Sequence, residues 1–165
     1  MLKLLAYVKK ESLNIKAANP YMFLLAGVST GISSILLTYF VTRLFGAVGR
    51  INFKFVVIGV ISYNALLSIM MPIGRSLLTE KRRRTMDGLI LANVNFEKMF
   101  LGVMIANLPF VLVEVAILTI FSMFLGVDFS VKLDFKFICS ILVFLFVSYC
   151  LGAFMSVLMT FAQDS

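Results

Sequence analysis

Residues 99–125 read MFLGVMIANLPFVLVEVAILTIFSMFL. One charged side chain, Glu114, interrupts the stretch. A helix rises about 1.5 Å per residue, so about 20 apolar residues cross a bilayer core. The stretch therefore predicts a transmembrane helix. Three other runs have the same character. Between Lys16 and Arg43 lie 26 uncharged residues, between Lys54 and Arg75 lie 20, and between Lys136 and Asp164 lie 27. The expected spans are about 20–42, 55–74, 99–125 and 137–162.

Composition points the same way. Of 165 residues, 61% are hydrophobic and 14% are charged, against about 45–50% and 25% in a soluble domain. A water-soluble globule, a disordered chain and a coiled coil are excluded. Lipid must be the solvent for most of this surface. The expected fold class is an all-α membrane protein: four transmembrane helices in one transmembrane domain covering residues 1–165.

The net charge of +7 reads as topology rather than as a nucleic-acid surface. Ten basic residues lie before the first span or in the 75–98 loop: Lys3, Lys9, Lys10, Lys16, Arg75, Lys81, Arg82, Arg83, Arg84 and Lys98. The other side carries five: Arg43, Arg50, Lys54, Lys132 and Lys136. The excess places both termini and the middle loop in the cytoplasm, as expected of a multi-pass protein of the cell membrane. Outer loops at 43–54 and 126–136 are too short for an extracellular domain.

The first 19 residues do not read as a signal peptide, because the long apolar run begins only near Ala17. Met1, Leu4, Leu5, Val8 and Ile15 recur at helical spacing, with Lys3, Lys10 and Asn14 opposite. This pattern predicts an amphipathic helix at residues 1–19, lying in the inner membrane interface and ended by Asn19-Pro20. A plain basic anchor is the simpler alternative.

Enzymatic chemistry has little to work with. The chain has no His, which excludes a His-based triad and His metal ligands. It has no G-x-x-x-x-G-K-[ST] loop for ATP. Cys139 and Cys150 lie about 16 Å apart along one helix and cannot pair. No catalytic residue, cofactor or metal site is expected on this chain.

The middle loop is the most distinctive segment: Glu80-Lys81-Arg82-Arg83-Arg84-Thr85-Met86-Asp87-Gly88-Leu89-Ile90-Leu91-Ala92-Asn93-Val94-Asn95. Physically it reads as a short interfacial helix, with Met86, Leu89, Ile90 and Asn93 near one face and Arg83, Arg84 and Asp87 toward another. Its charges also fit a stop-transfer cluster, or a patch that attracts acidic lipid headgroups.

The residue order resembles the ABC exporter permease family of the second (ABC-2) class. That family carries E-[KR]-x-x-G-T-[LM]-E-x-[LI]-x-x-[ST]-P-[VI]-[ST] after its second span. Glu80, Lys81, Thr85, Met86, Leu89 and Val94 match, and Asp87 stands for the second Glu. Arg84 replaces the Gly and Asn93 replaces the Pro. The resemblance covers the whole chain. A typical member has six spans, so this sequence looks like its front two-thirds.

The resemblance implies a dimeric pore with two ATP-binding cassette ATPase subunits on the cytoplasmic side, which hold the ATP and Mg. A coupling helix around Arg83–Leu91, using Arg82, Arg83, Arg84, Thr85, Met86, Asp87 and Leu89, would sit in a groove of the ATPase. The implied function is export of a hydrophobic or amphipathic substrate. The alternative is a non-transporting four-span regulatory or assembly protein whose basic loop binds acidic lipid.

Glu114 lies near the middle of the third span, where an exposed acid costs about 2.5–3.5 kcal/mol. Ser29, Thr30, Tyr63, Asn64, Tyr149 and Cys150 mark the midpoints of the other spans. With Glu114, the residues Ser29, Thr30, Tyr63 and Asn64 form an expected polar layer or pathway. The alternative is a packing hydrogen bond from Glu114 to Asn64 or Tyr149. Gly27, Gly31, Ser34 and Thr38 share one face of the first span, and Ser148, Gly152 and Ser156 share one of the fourth. These faces serve packing within the bundle, or in the first span a pathway or dimer seam. Pro72 and Pro109 are expected to kink their helices.

Overall fold

The computed structural model describes residues 2–17, 20–45, 53–129 and 135–162. All regular structure among them is helical: α1 (Leu2–Ala17), α2 (Pro20–Phe45), α3 (Phe53–Arg82), α4 (Met86–Leu91), α5 (Phe96–Phe124) and α6 (Phe135–Ala162). Four of these, α2, α3, α5 and α6, are long and apolar enough to cross a membrane. They carry the four expected spans. Asn19, most of the first outer loop (46–52) and residues 130–134 of the second lie outside the described residues.

α3 is the axis of the bundle and packs against α2, α5 and α6. Lipid tails are as apolar as Leu, so helices in a membrane associate by close approach rather than by escape from water. Small residues permit that approach here. A Cβ added at Gly152 of α6 would lie 2.9 Å from Cβ of Ile73 on α3, and Ile73 is fully buried. Ser148 and Ser156, one turn to either side of Gly152, are also fully buried. The small face of the fourth span is thus a packing face against α3.

The same holds for half of the first span's small face. A Cβ at Gly31 would meet Leu118 Cδ1 of α5 at 2.6 Å, and one at Gly27 would meet the Glu114 carboxyl at 3.0 Å. Both glycines pack within this chain. Ser34 and Thr38 donate to the carbonyls of Thr30 and Ser34 on their own helix.

Away from these seams the helices present apolar side chains outward. Phe124 is 84% exposed, and Leu142, Phe146 and Phe154 are each more than half exposed. Such a surface is stable against acyl chains and not against water.

α3 continues about two turns past the expected end of its span at residue 74, so Lys81 and Arg82 lie on its last turn rather than in a loop. Pro72 in α3 and Pro109 in α5 are both carried inside continuous helices. α1 meets α5 at an unusually close crossing. A Cβ at Gly102 would lie 2.7 Å from Tyr7 Cβ and 3.3 Å from the Tyr7 carbonyl carbon and the Val8 nitrogen. Lys10 of α1 pairs with Glu80 of α3, and Lys81 donates to the carbonyl of Thr160 near the end of α6. These contacts gather α1, α4 and the last turn of α6 at one end of the bundle.

Candidate functional site

The polar residues collect in two places: a clamp at that end of the bundle, and a crevice inside the membrane. The clamp begins with how α3 stops. Arg84 N–H donates to the Lys81 carbonyl at 3.0 Å and Thr85 N–H to the Glu80 carbonyl at 3.1 Å. This pair of bonds is a Schellman motif, which satisfies the orphan carbonyls of a helix end and requires a left-handed residue between them. Arg84 is that residue, with φ +56°.

α4 ends the same way. Asn93 N–H donates to Ile90 and Val94 N–H to Leu89, with φ +47° at Asn93. Asn95 then caps α5, its side chain accepting from Lys98 N–H at 3.0 Å. The geometry accounts for the Gly of the family pattern at position 84, since Gly enters the left-handed region without steric cost. It also accounts for the departure at 93: Pro is locked near φ −65° and has no N–H, so it cannot make this turn, whereas Asn can.

A first prediction follows from Arg84. Its left-handed conformation costs a non-Gly residue about 1 kcal/mol. Arg84→Gly is expected to raise the thermal midpoint of the purified chain by about 2–4 °C. An unchanged or lowered midpoint in a melting experiment would refute the assignment of strain there.

Glu80 joins three elements. It is 8% exposed. Its Oε1 accepts from Lys10 Nζ of α1 at 2.6 Å, and its Oε2 accepts from the Thr85 hydroxyl at 2.5 Å. Thr85 occupies the N-cap position of α4, yet its hydroxyl goes to Glu80 rather than to an α4 amide. Arg83 Nη1 donates to Asn14 Oδ1 of α1 at 3.4 Å. The side of α1 that the periodicity turns away from the apolar face, Lys10 and Asn14, is therefore docked on α3. Leu5 and Leu13 are exposed large apolar residues of α1, at 68% and 57%.

α4 itself has no buried residue. Leu89 packs against the edge of the α3–α5 core. Met86 is half-buried and Asp87 is exposed in the first turn, where an acid complements the helix dipole. Ile90 and Leu91 point outward, 58% and 88% exposed. Arg82, Arg83 and Arg84 are exposed beside them, all three N-terminal to α4 rather than on it.

The second place is a cavity of about 360 Å³ between α2, α3 and α5. Thr30, Asn64 and Glu114 of the expected polar layer line it, together with Ser68, Arg75 and Asn107. Ser29 and Tyr63 do not. Ser29 is exposed and donates to the Ala26 carbonyl, and Tyr63 is 62% exposed. The partner of Glu114 is neither Asn64 nor Tyr149: Ser68 Oγ donates to Glu114 Oε2 at 2.7 Å. Asn64 instead donates to its own helix at Val60, and the Tyr149 hydroxyl donates to the carbonyl of Glu97. A second cavity of about 270 Å³ lies between α1, α3 and α5, and Arg75, Asn107 and Phe110 line both.

Spacing held the signal for the residues that sequence reasoning missed. Ser68 follows Asn64 by one turn, and Asn107 precedes Glu114 by two turns, so each pair shares a helix face. Lys10 could not be paired with Glu80 from sequence, because 70 residues separate them.

Such a bundle, with an apolar exterior, a polar crevice at depth and a helix displayed at one end, is a multi-pass membrane protein. The chain belongs to the ABC-2 type transporter family, which it matches over residues 3–165. It is a permease component of an ATP-binding cassette transporter, a class of membrane subunit that is not itself catalytic and usually works with an ATPase subunit. Comparison with curated proteins and with solved structures finds no match.

Proposed function

We propose that this chain is the membrane subunit of an ATP-driven exporter in the plasma membrane. It works as a dimer with a second permease copy or homologue, has both termini in the cytoplasm, and moves a hydrophobic or amphipathic substrate such as a drug, lipid or peptide outward. The observation that carries this reading is the display of α4. A helix with no buried residue, seated by Leu89 and half-buried Met86, with Leu91 88% exposed and three exposed Arg side chains just before its start, fits a partner. Exposed Leu and Ile supply apolar anchors, and Arg supplies forked bonds to acidic groups.

The clamp gives the mechanism. Closure of an ATPase pair displaces α4. Thr85 passes the displacement to Glu80, hence to α3 directly and to α1 through Lys10. α3 lines the crevice, so movement at the cytoplasmic end alters the space around Glu114.

Arg83→Glu with Arg84→Glu tests this. Each charge-assisted bond is worth about 1.5–3 kcal/mol, so inverting both charges is expected to weaken ATPase association by about tenfold or more and abolish its stimulation, with insertion intact. Unchanged ATPase stimulation in the double variant would remove the coupling role. Binding that instead tracks acidic lipid content, with no ATPase complex, would favour the regulatory alternative.

A further inference from the structure

Glu114 has an unsatisfied half. Its Oε2 accepts from Ser68, whereas its Oε1 is buried and has no hydrogen-bond partner. The residue is 5% exposed and lines the 360 Å³ cavity. An orphaned carboxylate oxygen in a low-dielectric site is costly unless something donates to it. The site is also shaped for it: Gly27 lacks the Cβ that would press on the carboxyl at 3.0 Å.

The surroundings favour an ammonium. Asn64 and Asn107 each direct an amide N–H to their own helix, at Val60 and Val103. Thr30 likewise donates to the Ala26 carbonyl. The carbonyl of Ser68 loses its usual helical donor because Pro72 has no N–H. The Thr30 hydroxyl and one N–H of each amide are thus committed to their own helices, and Glu114 Oε1 is left without a donor among the described residues. The crevice's one cation among the described residues, Arg75, lies seven residues beyond Ser68, about 10 Å along the axis. Among the described residues no ion pair joins Arg75 to Glu114. Leu24, Leu67, Met71, Phe110 and Val111 supply apolar wall, and the volume falls within the roughly 300–1,000 Å³ of small-molecule sites.

We propose that the crevice between α2, α3 and α5 binds the protonated amine of an amphipathic amine, with Glu114 Oε1 accepting the ammonium N–H and the apolar wall taking the carbon chain. This names the substrate class of the exporter reading and rests on it.

The test uses the purified full chain in phosphatidylcholine nanodiscs, with empty nanodiscs for background partitioning. The probe is dodecylamine carrying a dansyl group at its far end, compared by fluorescence anisotropy with the same chain ending in a hydroxyl. A charge-assisted bond predicts that wild type binds the amine probe about tenfold or more tighter than the hydroxyl probe. Glu114→Asp is expected to keep the preference, and Glu114→Gln to bind both probes alike.

Wild type that fails to discriminate overturns the proposal without reference to any variant. So does a Glu114→Gln protein, folded by circular dichroism, that retains the preference. Complex formation with the ATPase is scored separately. A complex without amine preference sinks this inference alone, and amine preference without a complex sinks only the exporter reading.

Discussion

Gly102→Val is expected to release α1 from the bundle. The Cβ it adds would lie 2.7 Å from Tyr7 Cβ and 3.3 Å from two backbone atoms of α1. A side-chain clash can be relieved by a rotamer change. A clash with backbone cannot, so the whole helix must move. Overpacking costs about 1–3 kcal/mol, comparable to what holds α1 in place. The Lys10–Glu80 pair is discounted to about 1 kcal/mol or less by solvent, since the Lys10 side chain is 43% exposed.

Amide hydrogen exchange over residues 2–17 is expected to accelerate by about 5- to 150-fold, with α3 and the outer half of α5 unchanged. Protection at wild-type level would show that the crossing tolerates the side chain. On the proposed coupling route, ATPase stimulation is then expected to fall as well, because α1 braces Glu80.

The second large effect concerns Glu80→Ala. It removes the acceptor for Lys10 and the acceptor for the Thr85 hydroxyl together, so α1 and the start of α4 lose their common anchor. The Thr85 bond, to a charged acceptor that is nearly buried, is worth about 1.5–3 kcal/mol and outweighs the screened ion pair. The four spans are expected to stay assembled, since their seams lie elsewhere. Exchange in residues 86–91 is expected to rise and ATPase stimulation to collapse. Glu80→Gln is the discriminating variant. Its amide oxygen still accepts from Thr85 without the charge, so recovery of most stimulation is expected. If Ala and Gln behave alike, the ionic bond to Lys10 carries the clamp instead.

The four spans were legible because each is a long apolar run, uncharged apart from Glu114, and the bilayer sets a minimum length that few other structures share. Turn chemistry at the middle loop was legible only through resemblance. Arg and Asn do not announce a left-handed backbone as Gly does, so the two Schellman turns at Arg84 and Asn93 were hidden. Of the expected polar layer, Thr30, Asn64 and Glu114 line the crevice and Ser29 and Tyr63 do not. Depth along a helix can be counted from charges, but rotation about its axis cannot when every face is apolar. Tyr63 and Asn64 are neighbours at the same depth, yet Asn64 is buried and Tyr63 faces out. The docking of α1 was hidden for a related reason. Lys10 and Asn14 meet Glu80 and Arg83, which lie 70 and 69 residues away.

Neither elbow bracketing α4 is a glycine. A Gly would swivel freely among several backbone basins; the Cβ of Arg84 and of Asn93 closes most of them. The linkage therefore has little slack, and torque applied to α4 arrives at α3 and α5 instead of being dissipated in bending the joints. On this view Arg84→Gly yields a sturdier molecule with a sloppier crankshaft, trading thermal resilience for transmission.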